Sequence, residues 1–204
     1  MIIVDKKHDR IYGANLSVDH TEDGLGSLQG DACDINGIRA INDTLFEVQT
    51  GAVLYVNLYD SLKTIVGGPY YHYLIVKDNK LNELPNDRSF AFTKYVKMND
   101  SYLEGCYELQ IGPWSEKPTP KYIDHLNNEC LEYIKNEIYA DYGYVFKDKR
   151  WNAVFEAMPG YYTNDKDKPK VVNITDSLTE IDKYNIDFIN QKLKTLKPVS
   201  LAAK

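Results

Sequence analysis

Histidine is the side chain best suited to acid–base chemistry near neutral pH, and the four in this sequence lie far apart: His8, His20, His72 and His125. None belongs to an HExxH motif, and GxSxG and Cys–His signatures are also missing from the sequence. His72 falls within a tyrosine-rich strand pattern, where we expect an ordinary place on a sheet surface. The sequence therefore favours a protein that is not an enzyme. A hydrolase with its active site in the N-terminal half, using His72 or clustered acids, is the alternative.

Residues 31–37 (DACDING) come closest to a cation-binding motif. Three oxygen-bearing side chains precede Gly37, as at the start of a calcium loop. The third acid and the terminal glutamate of such a loop are missing, so the pattern favours an Asx-rich turn. The glycines at 24–26 and 67–68 lack the spacing of a phosphate loop and the Lys-Ser/Thr that follows it. We expect neither a metal nor a cofactor.

Two polar residues fall inside apolar helical stripes of the C-terminal part. On a wheel of roughly 100° per residue, Glu137 lies between Cys130 and Tyr133, and Asn185 lies within the stripe of the last predicted helix. A buried carboxylate or amide left without hydrogen bonds costs about 1–3 kcal/mol on mutational scales. We therefore predict that both are structural polar residues, bonded to backbone groups in the loops between residues 143 and 176. A ligand-binding acid in a pocket is the alternative for Glu137.

The elements that hold these residues change type along the chain. Up to about residue 111 the pattern is that of strands, because β-branched and aromatic runs are separated by short polar turns. The predicted strands are 2–4, 11–18, 45–58 with a break at Thr50-Gly51, 70–76, 80–84, 89–98 and 102–111. The Gly- and Asp-rich residues 20–37 predict a long loop. These signals indicate an antiparallel sheet, a sandwich or a partial barrel.

Residues 112–120 (GPWSEKPTP) mark the change of pattern. Their three prolines can continue neither a helix nor a central strand. We therefore predict a linker here, with a mainly antiparallel β domain at 1–113 before it and a small three-helix domain at 114–204 after it. The predicted fold class is α+β.

Beyond the linker, apolar residues recur at steps of three and four. The first helix is predicted from about residue 121 to 142, with Gly143 as a left-handed stop. Asp148 is predicted to cap a short second helix. The capping box Ser177–Glu180 predicts the start of a third.

Composition limits the partners. The 204 residues carry a formal net charge of -6 and a pI of about 5.3, which disfavours nucleic acid and anionic membranes. No apolar run approaches the ~20 residues that a membrane helix needs. The opening Met1–Val4 runs into charge at 5–7 and lacks a signal-peptide pattern. We expect either a cytoplasmic protein or a chain whose export signal has been removed.

The three cysteines, Cys33, Cys106 and Cys130, show no metal-ligand spacing. Their odd number and the length of the chain disfavour a disulfide framework. One bridge, such as Cys33 to Cys106, is the alternative to free thiols.

Residues 134–146 (IKNEIYADYGYVF) resemble the YARHG domain family, whose signature is roughly Leu-Arg-Asn-Glu-Ile-Tyr-Ala-Arg-His-Gly followed by an aromatic pair around one residue. The similarity covers about residues 118–196 and continues through Trp151, Phe155, Tyr161, Tyr162, Asn185 and Ile189. The resemblance implies a bacterial domain of exported or envelope-attached proteins. Such domains have no established activity and are suspected of binding cell-wall or surface material.

The chain departs from this signature in its basic pair and in its later aromatic pair. Asp141 and Tyr142 stand where the family has arginine and histidine, and Tyr161 stands where the later aromatic pair usually has tryptophan. A role that needs the basic pair is therefore not expected here. With the missing catalytic motifs, the resemblance predicts a non-catalytic extracytoplasmic module that is periplasmic, secreted or envelope-anchored. Its expected ligands are peptidoglycan, polysaccharide or protein.

Four tyrosines are the predicted ligand-binding residues: Tyr142, Tyr144, Tyr161 and Tyr162. They lie at a helix end and in loops, outside the apolar stripes. A tyrosine ring covers a large area with few rotatable bonds, and its hydroxyl can bond a polar partner. The alternative is that these rings cover the small three-helix core, which needs additional apolar area at this size.

Overall fold

The computed structural model describes residues 2–5, 10–13, 35–50, 54–58, 63–112, 119–156 and 171–195. These residues form ten strands: β1 (Ile2–Asp5), β2 (Arg10–Gly13), β3 (Ile35–Ala40), β4 (Leu45–Thr50), β5 (Tyr55–Asn57), β6 (Lys63–Gly67), β7 (Tyr70–Lys77), β8 (Lys80–Glu83), β9 (Glu104–Ile111) and β10 (Thr119–His125). They also form four α-helices and one 3-10 helix: α1 (Phe92–Tyr95), the 3-10 helix (Asp100–Tyr102), α2 (Asn128–Asp141), α3 (Lys149–Glu156) and α4 (Glu180–Thr195). Antiparallel sheets in the N-terminal part and helices in the C-terminal part confirm the predicted α+β class.

The chain divides into two compact units that differ from the predicted domains. Unit 1 comprises Met1–Leu54 and Pro69–Asn86, and unit 2 comprises Tyr55–Gly68 and Asp87–Lys204. The boundary predicted between residues 113 and 114 falls inside unit 2. The physical reason is that β9 and β10, on either side of that boundary, are paired neighbours in one sheet.

Unit 1 is built from antiparallel strands. Sheet A pairs β1 with β2, and sheet B has the order β3-β4-β7-β8. Asp78 and Asn79 join β7 to β8 with φ values of 53° and 58°, the left-handed pair that a two-residue hairpin turn requires. Buried Val48, Leu74 and Leu81 form the apolar core on one face of sheet B. Strand β3 begins inside the stretch predicted as a loop, and residues 20–34 of that loop lie outside the described residues.

Sheet C in unit 2 has the order β10-β9-β6-β5 and is also antiparallel. Side chains of successive strand residues point to opposite faces, so the pairing register separates two faces. Val56, Ile65 and Leu109 are direct neighbours in one row and are buried. This row faces the core of the unit, and the opposite face is the more exposed one.

Strand β10 replaces part of the predicted linker and of the predicted first helix. Pro120 lies in this strand, which is an edge of sheet C, and an edge position tolerates the missing N–H of proline. Ile123 is opposite Tyr107 in the sheet, although its spacing to Leu126 and Cys130 mimics a helical stripe. The predicted start near residue 121 is therefore wrong.

Helix α2 begins after Asn127, whose side-chain oxygen accepts a 3.1 Å hydrogen bond from the backbone N–H of Cys130. An asparagine N-cap of this kind satisfies one of the free donors of the first turn. The predicted end of the helix near residue 142 agrees with its last residue, Asp141.

Residues 89–98 are not the predicted strand. They contain the single-turn helix α1, and Phe90, Phe92, Val96 and Met98 are all buried. Aromatic and β-branched residues suit a strand in isolation. Here tertiary packing prevails, since α1 contacts both α2 and α4.

The last two helices lie close to their predicted positions. Asp148 Oδ1 accepts from the backbone N–H of Arg150 at the start of α3. The capping box of α4 lies two residues beyond the predicted one. Thr179 Oγ1 accepts from the N–H of Asp182, and Asp182 Oδ2 accepts from the N–H of Thr179. Among the described residues, no helix is both long and apolar enough to span a membrane.

Candidate functional site

The end of α2 explains why glycine occupies position 143. Gly143 has a φ of 75°, a left-handed conformation that is strained for residues with a Cβ atom. Its N–H donates to Ala140 O at 2.8 Å, and the N–H of Tyr144 donates to Tyr139 O at 3.2 Å. These two bonds form a Schellman motif, and the rings of Tyr139 and Tyr144, 5.7 Å apart, make its accompanying apolar contact. Within the motif, the end of the helix is therefore specified by Tyr139, Gly143 and Tyr144.

Glu137 is fully buried on α2 and binds the segment that precedes α1. Its two carboxylate oxygens accept hydrogen bonds from the backbone N–H groups of Ser89 at 2.8 Å and Phe90 at 3.1 Å. Because both donors lie in the turn that leads into α1, the carboxylate fixes the backbone at that point. The hydrogen bonds of Glu137 are those of a residue that supports the fold. Its partners, Ser89 and Phe90, lie outside the predicted loop at 143–176.

Asn185 is the corresponding buried residue on α4. Its side-chain oxygen accepts from Met98 N–H at 2.8 Å, and its NH₂ group donates to the carbonyls of Thr93 and Val96, each at 2.9 Å. One amide therefore bonds three backbone groups at the end of α1. The prediction that its partners lie between residues 143 and 176 is wrong, because α4 packs against α1 as well as against α2.

Arg88 is the centre of a buried charge cluster, which comprises Arg88, Asp141, Asp182 and Tyr142. The Arg88 guanidinium lies 2.9 Å from Asp141 and 2.8 Å from Asp182, and its side chain is 1% exposed. The Tyr142 hydroxyl donates to the second oxygen of Asp182 at 2.5 Å. Each buried charge is thus paired and hydrogen-bonded, as a low-dielectric environment requires.

The cluster shifts the pKa values of Asp182, Arg88 and Tyr142. Burial alone would raise the pKa of Asp182, but the Arg88 charge and hydrogen bonds from Tyr142 and Thr179 hold that pKa below its ordinary value. Burial lowers the pKa of Arg88, and the two carboxylates more than offset this, so the guanidinium stays charged. Burial and the bond to Asp182 raise the pKa of Tyr142 to about 12. At neutral pH Arg88 is therefore charged, Asp182 is ionised and Tyr142 is a neutral phenol.

The structure gives intramolecular partners to both predicted ligand-binding tyrosines that it describes. Tyr142 is half-buried and bonded to Asp182. Tyr144 is half-buried, with its ring 5.1 Å from Phe146 in an edge-to-face arrangement. These contacts correspond to the alternative in which the rings cover the helical core. Tyr161 and Tyr162 lie outside the described residues.

Sheet C presents a second candidate surface, which the sequence did not single out. Tyr55 is opposite Val66, Val66 is opposite Glu108, and Glu108 is opposite Tyr122, so these four residues form one row across all four strands. We call this set the tyrosine row. Tyr122 is 77% exposed and Tyr55 is 43% exposed, one on each edge strand. The row therefore places two accessible rings at opposite ends of one face.

Polar side chains accompany the tyrosine row on the same face. The adjacent row contains Asn57, Thr64 and Gln110. Thr64 Oγ1 donates to Asn57 Oδ1 at 2.9 Å, and Gln110 Nε2 donates to Glu108 Oε1 at 2.9 Å. The amides and the carboxylate are thereby held in defined orientations. Only the register of distant strands brings these residues together, and the linear sequence carries no signal of it apart from the abundance of tyrosine.

Unit 1 contains the arrangement most relevant to an enzyme. His72 is buried, and its Nδ1 lies 2.7 Å from Glu83 Oε1. The ring of Tyr70 meets the imidazole edge-on, with centroids 5.3 Å apart. His72 therefore lies against the core of unit 1, not on the predicted sheet surface. Within the described ranges, no group of three or more His, Cys, Asp or Glu residues could hold a metal ion.

Two of the three cysteines lie in the part of the chain that the structure describes. Cys106 and Cys130 are free thiols, and Cys33 lies outside the described residues. Burial raises the pKa of Cys130 to about 12, so its thiol is protonated at neutral pH. A protonated, buried thiol behaves as a small apolar side chain.

Residues 114–192 match the family model of the YARHG domain. This region of the chain is therefore similar to the YARHG domain, a module of the extracytoplasmic type with unknown function. No curated protein and no solved structure matches the chain. Asp141 and Tyr142, which stand in place of the basic pair of the motif, are both members of the buried charge cluster.

Proposed function

We propose that this chain is a non-catalytic extracytoplasmic bacterial module that binds cell-envelope or surface material through the exposed face of sheet C. The observation that carries the proposal is the tyrosine row, in which Tyr122 is 77% and Tyr55 is 43% exposed. The YARHG match supports a periplasmic, secreted or envelope-anchored location. Peptidoglycan, polysaccharide and envelope protein are the ligand classes.

Exposing aromatic rings to water costs free energy. A single exposed aromatic residue is ordinary on a protein surface. Two rings in one register row, on a face with oriented polar groups, form a surface that gains free energy when a ligand covers it. Tyrosine suits this use because it presents a large rigid area and a hydroxyl at small entropic cost.

The test is sedimentation of the full chain with purified bacterial cell walls. We expect the wild-type chain to sediment with the walls and Tyr122→Ala to lose most of this retention. Tyr184→Ala is the matched control, since Tyr184 is 42% exposed on α4, away from sheet C. Equal retention of Tyr122→Ala and wild type, or no retention of the wild type, would refute the proposal.

The His72–Glu83 pair favours a second candidate function, a hydrolase with its active site in unit 1. A carboxylate at Nδ1 orients an imidazole so that its other nitrogen can act as a general base. The wild-type chain would then release soluble fragments from cell-wall material, and His72→Gln would not. Fragment release that survives His72→Gln would exclude this residue as the base.

A further inference from the structure

We infer that the tyrosine row binds a neutral, hydroxyl-rich glycan that lies across the strands of sheet C. The inference rests on the proposed function and names the chemical class of its ligand. It uses three features of the face: the distance between the rings, the hydrogen-bonding groups between them and the charge of the surface.

The distance between the rings sets the size of the ligand. Tyr55 on β5 and Tyr122 on β10 are separated by three inter-strand gaps. At ~4.8 Å per gap, the two backbone positions are about 14 Å apart. One small ring system cannot cover both tyrosines, whereas an extended oligomer of flat rings can. A sugar chain has this form, and the C–H face of a pyranose stacks on an aromatic ring.

The polar groups beside the rings offer both acceptors and donors, because carboxylate and amide oxygens accept and the side-chain NH₂ groups of Asn57 and Gln110 donate. Glu108 uses one carboxylate oxygen to accept from Gln110, so its second oxygen remains an acceptor for a ligand. A sugar hydroxyl can both donate and accept a hydrogen bond, so a chain of sugars complements such a surface. Glu108 and Gln110 are both partly accessible, which allows this contact.

The charge of the face excludes polyanionic ligands. Glu108 is the charged member of the tyrosine row, and the adjacent row is uncharged. In the described registers of these two rows no lysine or arginine is present. A phosphate- or sulfate-bearing chain would meet an uncompensated carboxylate, which is repulsive at close range. A neutral chain meets no such penalty.

The β10 edge of sheet C disfavours a peptide that adds to the sheet as a further strand. Such a peptide needs a row of unpaired N–H and C=O groups on an edge strand. Pro120 removes one N–H from β10, and the register shifts between Ile123 and His125. A ligand on the face of the sheet needs neither group.

The experiment uses the folded full chain and chitohexaose, a neutral oligosaccharide, in a calorimetric titration. We expect saturable binding by the wild type. Tyr122→Ala and Tyr55→Ala should each weaken it by at least about tenfold, which corresponds to about 1.4 kcal/mol. Tyr122→Phe should keep most of the affinity because stacking needs the ring. Glu108→Ala should weaken binding through the lost acceptor, and Tyr184→Ala should leave it unchanged.

Circular dichroism and thermal melting of each variant test whether it is folded. Tyr122→Ala is the substitution least able to disturb folding, because the Tyr122 side chain is strongly exposed. Heparin, a polyanionic glycan, is the comparison ligand and should not bind. If chitohexaose fails to bind while Tyr122→Ala still abolishes cell-wall retention, the glycan inference is overturned and the proposed function stands. If the variants affect neither measurement, both are overturned.

Discussion

Arg88 Nη1 lies 2.8 Å from Asp182 Oδ1, and this contact joins two buried residues that are 94 positions apart in the chain. The same guanidinium binds Asp141 at the end of α2. Both carboxylates lie in the region that matches the YARHG domain, whereas Arg88 precedes residue 114, where the match begins. The two carboxylates of the matched region are therefore paired with a cation from outside it.

Replacement of Arg88 should be strongly destabilising. In Arg88→Met, the buried carboxylate of Asp182 and the partly buried carboxylate of Asp141 lose their shared cation, and breaking a buried pair in this way costs about 3–5 kcal/mol. Urea unfolding of the full chain measures the change. Arg150→Met is the control, because Arg150 pairs with Asp148 at the surface, and an exposed pair contributes about 1 kcal/mol or less. A loss of similar size in both variants would contradict the role of the cluster.

The region matched by the family model should not fold by itself. A fragment of residues 114–204 lacks Arg88 and the backbone groups at Ser89, Phe90 and Met98 that satisfy Glu137 and Asn185. Its buried polar groups would then have no partners, each at a cost of about 1–3 kcal/mol. We expect little cooperative melting from this fragment. A fragment of residues 87–204, which retains these partners, should show more helix by circular dichroism. Cooperative, equal melting of both fragments would show that the partners are dispensable.

Local signals were sufficient to predict one part of the fold. The turn between the strands predicted at 70–76 and 80–84, the stop at Gly143 and the cap at Asp148 depend on residues a few positions apart. The burial of Glu137 followed from helical periodicity alone, since the fully buried side chain lies within the apolar stripe of α2.

The remainder depends on contacts between distant residues. The partners of Glu137 lie 47 and 48 positions away, so periodicity could show that a partner was needed but not which one. The residues of β10 alternate too weakly to reveal a strand, because an edge strand is exposed on most sides. The tyrosine row likewise exists only through the register of β5, β6, β9 and β10.

The lowered pKa of Asp182 predicts a specific acid sensitivity. A carboxyl group whose folded pKa is below its unfolded value stabilises the fold above the unfolded pKa, and this contribution is lost as the pH falls through the folded value. The ordinary value is 3.8, so the contribution should be complete above about pH 5 and decline below about pH 4. We expect Asp182→Asn to be less stable than the wild type at pH 7 and to lose less stability between pH 5 and pH 2. Urea unfolding at a series of pH values measures both. If the stability of both proteins falls equally as the pH is lowered, the lowered pKa of Asp182 is contradicted.

Tyr142 offers the matching test at alkaline pH and bears on its predicted role in ligand binding. Its pKa is raised from 10.0 to about 12 by burial and by the bond to Asp182. A raised folded pKa stabilises the fold below the unfolded pKa, and the contribution is lost as the pH rises from 10 towards 12. Tyr142→Phe removes this titration, so its stability should fall less steeply above pH 10.

At neutral pH the same variant leaves Asp182 with one donor fewer, and we expect a loss of about 1–3 kcal/mol of stability. Ultraviolet titration of tyrosinate and urea unfolding measure the two effects. Because the hydroxyl bonds inside the protein, Tyr142→Phe should retain cell-wall binding at concentrations where the variant is folded. If Tyr142→Phe loses cell-wall binding while its free energy of unfolding is unchanged, Tyr142 is instead a ligand-binding residue.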